Sequence, residues 1–168
     1  MRILLLSDTH GHMDETILQY VREADVVWHA GDIGTSAVTD ALSAIRPLKA
    51  VYGNIDGRDI RMQFPLDERF TVEGIDVWIT HIGGYPGHYQ PRVRKILTQS
   101  PPDLFICGHS HILKVMRDAE FNMLCMNPGA AGVQGFHKMR TMIRFTVEGG
   151  RILQPEVIEL GLRGSLRI

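Results

Sequence analysis

The chain has 168 residues, 44% of them hydrophobic and 22% charged, with a formal net charge of -1. That length suits one compact domain over residues 1–168 with a core of its own. The near-neutral charge gives no global electrostatic reason to expect nucleic acid or an anionic membrane as a partner.

The opening apolar run is too short for a signal-peptide core or a membrane span, and no later segment is long and apolar enough to cross a bilayer. The expected location is therefore cytoplasmic and reducing. Cys107 and Cys125 sit in apolar runs without C-x-x-C spacing, which favours buried reduced thiols over a disulfide or a zinc site.

Residues 3–6 are continuously apolar, as expected of a strand covered on both faces. Asp14 or a neighbour can cap a short helix carrying Ile17, Leu18 and Val21, and residues 26–30 read as a second buried strand. Ser36 then caps a helix in which Val38, Ala41, Leu42 and Ile45 keep helical spacing. Pro47 ends that helix ahead of a strand over 48–52. Residues 69–73 and 75–80 form a hairpin around Glu73-Gly74. Pro91 opens a further helix with Val93, Ile96 and Leu97 on one face, and Pro101-Pro102 stops it before a strand over 104–107. The remainder reads as strand: Thr141, Ile143, Phe145 and Val147 alternate, and Glu148-Gly149-Gly150 turns into a strand over 152–158. No repeat, low-complexity tract or linker interrupts this order, which predicts an α/β fold of two packed sheets flanked by helices.

The chemistry lies in the short polar segments at the ends of the apolar strands. The five segments are Asp8-Thr9-His10, Gly31-Asp32, Gly53-Asn54-Ile55-Asp56, His81 and Gly108-His109-Ser110-His111. Functional groups in α/β sheets gather beyond the carboxyl ends of strands, so these loops can converge on one point. Asp8 with His10, and His109 with His111, stand at i and i+2, a spacing that in extended chain puts both side chains on one side. Each residue alone has a plainer reading: a helix cap or loop carboxylate for Asp8 and Asp32, a hydrogen-bonded histidine for His81, a turn residue for Asn54. Together, Asp8, His10, Asp32, Asn54, His81, His109 and His111 exceed what one ion can use while leaving room for substrate. Two ions can use them if one carboxylate bridges. Mixed imidazole and carboxylate ligation favours Mn, Fe, Zn or Ni over Mg or Ca, with Mn the first expectation.

In this order the five elements resemble the calcineurin-like metallophosphoesterase superfamily, written D-x-H, G-D, G-N-x-(E/D), H and G-H-x-H. Asn127-Pro128-Gly129-Ala130 is similar to an N-P-G-S element of its small bacterial and archaeal phosphodiesterase branch, with Ala130 in place of serine. The resemblance implies a four-layer α/β/β/α sandwich of two mixed sheets flanked by helices, with the site at a sheet edge. It implies one metal held by Asp8, His10 and His111, another by Asn54, His81 and His109, and Asp32 as the bridge. It also implies a small-molecule phosphoester as substrate, and a homodimer. Two departures stand out: Ile82 separates His81 from Gly83-Gly84, and Ile55 stands where many members carry a proton-donating histidine.

Two cations about 3.5–4 Å apart generate a hydroxide near neutral pH and neutralise phosphoryl oxygens during in-line displacement. His12 is the candidate proton donor, a solvent-facing loop histidine being the alternative. Arg58 can grip a phosphate or be a surface charge, residues 83–88 are a candidate rim, and Arg92, Arg94 and Lys95 read as a solvated helix face. The competing functions are a protein-binding scaffold like the related retromer subunit, and a metal sensor without catalysis. A scaffold tolerates ligand losses, whereas all seven positions are present here.

Overall fold

The computed structural model describes residues 1–164. The first half alternates strand and helix: β1 (Arg2–Leu6), α1 (Glu15–Glu23), β2 (Val26–His29), α2 (Ser36–Ser43), β3 (Leu48–Ala50) and α3 (Arg58–Gln63). Then come β4 (Asp67–Val72), β5 (Ile75–Thr80), α4 (Pro91–Gln99), β6 (Leu104–Ile106), β7 (Lys114–Asp118), β8 (Met123–Asn127), β9 (Met139–Glu148) and β10 (Arg151–Leu162). The strands form two five-stranded mixed sheets, ordered β10-β9-β1-β2-β3 and β4-β5-β6-β8-β7.

Three apolar layers hold these elements in the four-layer α/β/β/α sandwich. Between the sheets, Ile3, Leu5 and Trp28 of the first face Val77, Ile79 and Ile106 of the second. Trp28 stands edge-on to Phe70 and Phe145, at ring separations of 5.1 and 5.7 Å, joining both sheets through one side chain. Outside the first sheet, Leu4, Leu6 and Val27 pack on Ile17 and Val21 of α1, Val38 and Leu42 of α2, and Ile60 of α3. Outside the second, Trp78, Phe105 and Cys125 pack on Val93 and Leu97 of α4. The continuous apolar run at β1 thus has the expected cause: the strand is covered on both faces. Both cysteines are buried and free, and burial pushes the Cys107 thiol up to about 12.

Several local expectations need correction. Thr35, not Ser36, is the N-cap of α2, and its side chain makes no capping bond. The helix ends at Ser43, before Pro47, because Ile45 and Arg46 both turn back to the Leu42 carbonyl. Helix α3 has no counterpart in the sequence pattern: in six residues it buries one, Ile60, too little for a periodic signal. Asp14 does cap α1, accepting from Ile17 N at 3.0 Å. The hairpin turns at Glu73-Gly74, both at positive φ.

β1, β2 and β3 run parallel, as do β5, β6 and β8, so their carboxyl ends deliver the polar loops to one edge. His29, the fully buried last residue of β2, ties two of these loops together. Its Nε2 lies 2.9 Å from Thr9 Oγ1, and its Nδ1 accepts from Gly31 N at 3.1 Å. Thr9 Oγ1 already donates to the Ile33 carbonyl at 2.9 Å, so it must accept from His29 Nε2–H. A proton on Nδ1 would face the Gly31 N–H, which makes the neutral ring the one that fits. Burial lowers its pKa from 6.5 to about 4, against the opposing pull of the Asp8, Asp56 and Asp32 carboxylates. Because the folded value is depressed, the unfolded chain takes up a proton between pH 6.5 and about 4 that the folded chain refuses. His29 should therefore cost stability as pH falls through that window, at up to about 1.4 kcal/mol per pH unit. Urea unfolding of wild type and His29→Asn at pH 7.5, 6 and 5 checks this. The variant should start less stable and show a shallower loss, and equal slopes would refute the assignment.

Candidate metal centre

At the shared edge, two groups of side chains each turn one ligand-type atom inward. Asp8, His10 and His111 form one group and Asp32, His81 and His109 the other, with the atoms within each no more than 4.8 Å apart. Asp32 stands between them. Its Oδ1 lies 3.2 Å from His81 Nε2 and its Oδ2 lies 3.6 Å from His10 Nε2. Asp8 Oδ1 is 3.1 Å from His111 Nε2 and 3.9 Å from both His10 Nε2 and His81 Nε2. Among the described residues, Asp8 Oδ1, His10 Nε2 and His81 Nε2 are buried without a hydrogen-bond partner. Such atoms cost of order 1–3 kcal/mol each when left unmet, more for charged groups. A carboxylate oxygen and imidazole nitrogens converging this closely are the donor set of a divalent transition metal, so the residues present fit the metals implied by the sequence.

The remaining atoms of these side chains are committed to the protein, which fixes their direction. Asp8 Oδ2 accepts from Ser7 Oγ at 2.6 Å and from His109 N at 3.1 Å, crossing from one sheet to the other. His81 Nδ1 lies 2.7 Å from the Ala30 carbonyl, which can only accept, so the proton sits on Nδ1 and the Nε2 lone pair faces the site. Asp32 Oδ1 accepts from Ile55 N at 3.1 Å. Asp56, also buried, is no member of either group. It accepts from Ile33, Gly34 and Gly53 N–H groups at 3.1, 2.8 and 2.7 Å and so welds the β2 and β3 loops. A Cβ on Gly53 would sit 2.0 Å from Asp32 Oδ1, which explains the glycine there.

Asp8, His10, Asp32, His109 and His111 all have φ between 48° and 68°, a region that non-glycine residues rarely adopt. The extended geometry assumed for the i, i+2 pairs is thus replaced by left-handed turns. Asp8 and His10 still serve one group, but His109 and His111 are split between the two.

Charges within the site compensate one another. Burial would raise Asp32, but His81, the Ile55 N–H and His10 outweigh it and hold the carboxyl below its ordinary value. Burial likewise opposes a charged His81, yet Asp32, Asp8 and the Ala30 carbonyl raise its pKa. The buried carboxylates call for positive charge, which a proton or a metal ion can provide.

Asn54 is exposed on the β3 loop, where it lines a cleft of about 370 Å³ with His81, Arg61 and Arg92. A second cleft, of about 190 Å³, lies between His109 and residues 82–86, so the expected rim does border the centre. A larger one of about 480 Å³, lined by Tyr20 and Arg144, contains none of the candidate ligands. His12 joins neither group; its Nε2 is 3.0 Å from Asp14 Oδ2. Arg58 is exposed at the start of α3. Arg94 pairs with Glu120 on the surface, but Arg92 departs from a merely solvated face, donating to Asp67 and to Thr80 Oγ1 beside His81. Two residues escape sequence reasoning. Arg61 donates to the carbonyls of Asp56, Gly53 and Asn54, bracing that loop. His137 stands 3.1 Å from His111, Nδ1 to Nδ1, in a segment that shows neither periodicity nor motif.

Comparison with known proteins identifies the family. Residues 1–150 match the calcineurin-like phosphoesterase superfamily domain. A probable metallophosphoesterase of Methanothermobacter thermautotrophicus is 27% identical over 96% of this chain and 94% of its own. The structure of an archaeal phosphodiesterase is similar at a TM-score of 0.71, with 23% identity over 95% of this chain and all of that one, 100%. Vps29 of Entamoeba histolytica complexed with zinc superposes at a TM-score of 0.74 and 15% identity, over 95% of this chain and 99% of that one. With the motifs, the sandwich and the family match in agreement, the chain belongs to the calcineurin-like phosphoesterase superfamily.

Proposed function

We propose that this protein is a phosphodiesterase working with two divalent transition-metal ions, manganese first among the candidates. The observation that carries this reading is the pair of ligand groups joined through Asp32, with Asp8 Oδ1, His10 Nε2 and His81 Nε2 buried and unmet. Asp8, His10 and His111 would hold one ion, Asn54, His81 and His109 the other, and Asp32 both. Bound there, the ions would supply an acidified water as nucleophile and neutralise charge on the phosphoryl oxygens. The chain's own part is to hold the Asp32 carboxyl ionised, direct the imidazole lone pairs inward and keep competing donors away.

Preference for a diester rests on what surrounds the ions. Ile55 is 46% exposed and offers its backbone N–H to Asp32 but no side-chain proton. His12 remains the candidate donor; its Nε2–H goes to the Asp14 carboxylate, so Nδ1 has a proton to give only when the ring is the imidazolium. The clefts beside His81 and beside His109 share Ile82 and Gln90, which leaves room for an organic group on either side of a phosphorus. The likeness to Vps29 bears on fold alone, and a non-catalytic scaffold should bind metal without turning over any ester.

Three measurements test the proposal. Metal analysis of protein reconstituted at saturating Mn should approach two ions per chain, and a firm ceiling of one would end the two-ion reading. Asp32→Asn should lower kcat by roughly 100-fold or more, the several kcal/mol of a metal contribution, while Asp40→Asn, on the exposed face of α2, leaves it unchanged. Wild-type kcat for Asp32→Asn at saturating Mn would count against Asp32 as the bridge. Third, bis-p-nitrophenyl phosphate should be cleaved faster than p-nitrophenyl phosphate, with little action on alkyl monoesters. A positioned acid is typically worth 10²–10⁴-fold, so Ile55→His should raise monoesterase turnover. Vigorous alkyl monoester hydrolysis that survives His12→Ala would overturn the missing-acid argument.

A further inference from the structure

We infer that His137, outside the five sequence motifs, is a positioning residue that fixes the tautomer of His111 and so aims its Nε2 lone pair at the metal of the Asp8–His10–His111 group. The inference rests on the two-metal reading but has a readout independent of it.

The reasoning is one of donors and acceptors. His137 Nε2 lies 3.0 Å from the Gly132 carbonyl, which can only accept, so that nitrogen carries a proton. The neutral ring then has its lone pair on Nδ1, 3.1 Å from His111 Nδ1. Between those two nitrogens a single proton is needed, and only His111 can supply it. His111 is therefore the Nδ1–H tautomer, with a lone pair on Nε2, 3.1 Å from Asp8 Oδ1. Two lone pairs at that distance repel unless a cation lies between them, which is the condition a metal fulfils. The opposite polarity makes His137 a cation and puts an Nε2–H of His111 onto Asp8, blocking the lone pair that a metal requires.

The local chain is shaped for this contact. His10, His111 and His137 stand edge to face in series, with ring separations of 5.4 and 5.0 Å. Gly135 has φ +121°, and a Cβ there would fall 2.3 Å from His111 Nδ1 and 3.2 Å from His137 Nδ1. The loop from Gly132 to His137 can close over His111 because that Cβ is absent. His81 obtains the same service from the Ala30 carbonyl, so each ligand group contains one imidazole whose direction the protein sets from behind.

The test combines nitrogen NMR with zinc titration, zinc being diamagnetic. At pH 8, metal-free wild type should show a proton on His111 Nδ1 shared with His137 Nδ1, and zinc should displace any proton from Nε2 while leaving that one in place. In His137→Phe the tautomer preference should be lost, and one of the two zinc affinities should fall by about 10–100-fold while the other holds. His137→Gln restores a donor for Gly132 and an acceptor for His111 and should rescue both readouts. If His137→Phe fails to fold, Gly135→Ala carries the same expectation by displacing the His111 ring. A His111 Nδ1 without a proton in metal-free wild type, or unchanged zinc affinities in the variants, would overturn the inference. Should the protein bind a single zinc or cleave no ester, the two-metal reading fails, while the His111 tautomer in metal-free protein still decides the role of His137.

Discussion

Asp8 is fully buried, and its two oxygens lead different lives. Oδ2 takes hydrogen bonds from Ser7 and from the His109 backbone, while Oδ1 has three imidazole nitrogens within 3.9 Å and a hydrogen bond to none of them. A buried carboxylate oxygen left in this state is costly, and the donors already on Oδ2 do nothing for Oδ1. The remedy is a cation at Oδ1. Much of what surrounds the centre can be understood from that single requirement, because a cation needs further lone pairs aimed at the same point. His10 and His111 turn their Nε2 atoms into that group, and Asp32, beside His81, adds a second carboxylate that reaches both groups.

Aiming so many groups at one point bends the backbone. Asp8, His10, Asp32, His109 and His111 sit in left-handed conformations that cost of order 1–3 kcal/mol each. The cost is offset by bonds among the loops themselves: Asp8 N to the Gly31 carbonyl, His10 N to Asp32 O, Gly11 N to Ile33 O, and Gly108 N to His81 O. Asp56 and Arg61 add charge-assisted bonds from behind, holding the Gly53–Asn54 turn to the β2 loop. Neither touches the centre, yet each fixes a loop that does.

The sequence is legible where one residue reports on one environment. Apolar runs reveal β1 and β2 because both faces of each strand are covered, and polar residues immediately after those runs mark the edge. Spacing in extended chain pairs His109 with His111, whereas the fold turns them into different groups of side chains, His111 beside Asp8 and His10, and His109 beside Asp32 and His81. The residues that stay hidden depend on chain that only tertiary packing brings near. Arg61 acts through three carbonyls of a neighbouring turn, and His137 reaches His111 from 26 residues away. Helix α3 buries too little to leave a period, and the left-handed turns are held by bonds between loops of different strands, which no local propensity reports.

The position of Asp8 has a last consequence for how the protein must fold. Its chain belongs to the first sheet, but its carboxylate is held by His109 of the second, 101 residues distant. The Ser7 and Asp8 carbonyls in turn receive Ala131 N and Gly132 N, from the segment that returns from β8 to β9. Trp28, Phe70 and Phe145 close the same seam from the apolar side. The ligand groups therefore exist only once both sheets have docked, since neither sheet alone supplies a complete set: His81, His109 and His111 lie on one, Asp8, His10 and Asp32 on the other. Metal affinity and sheet docking are then linked equilibria, in which ions that bind only the docked form must stabilise the core between the sheets.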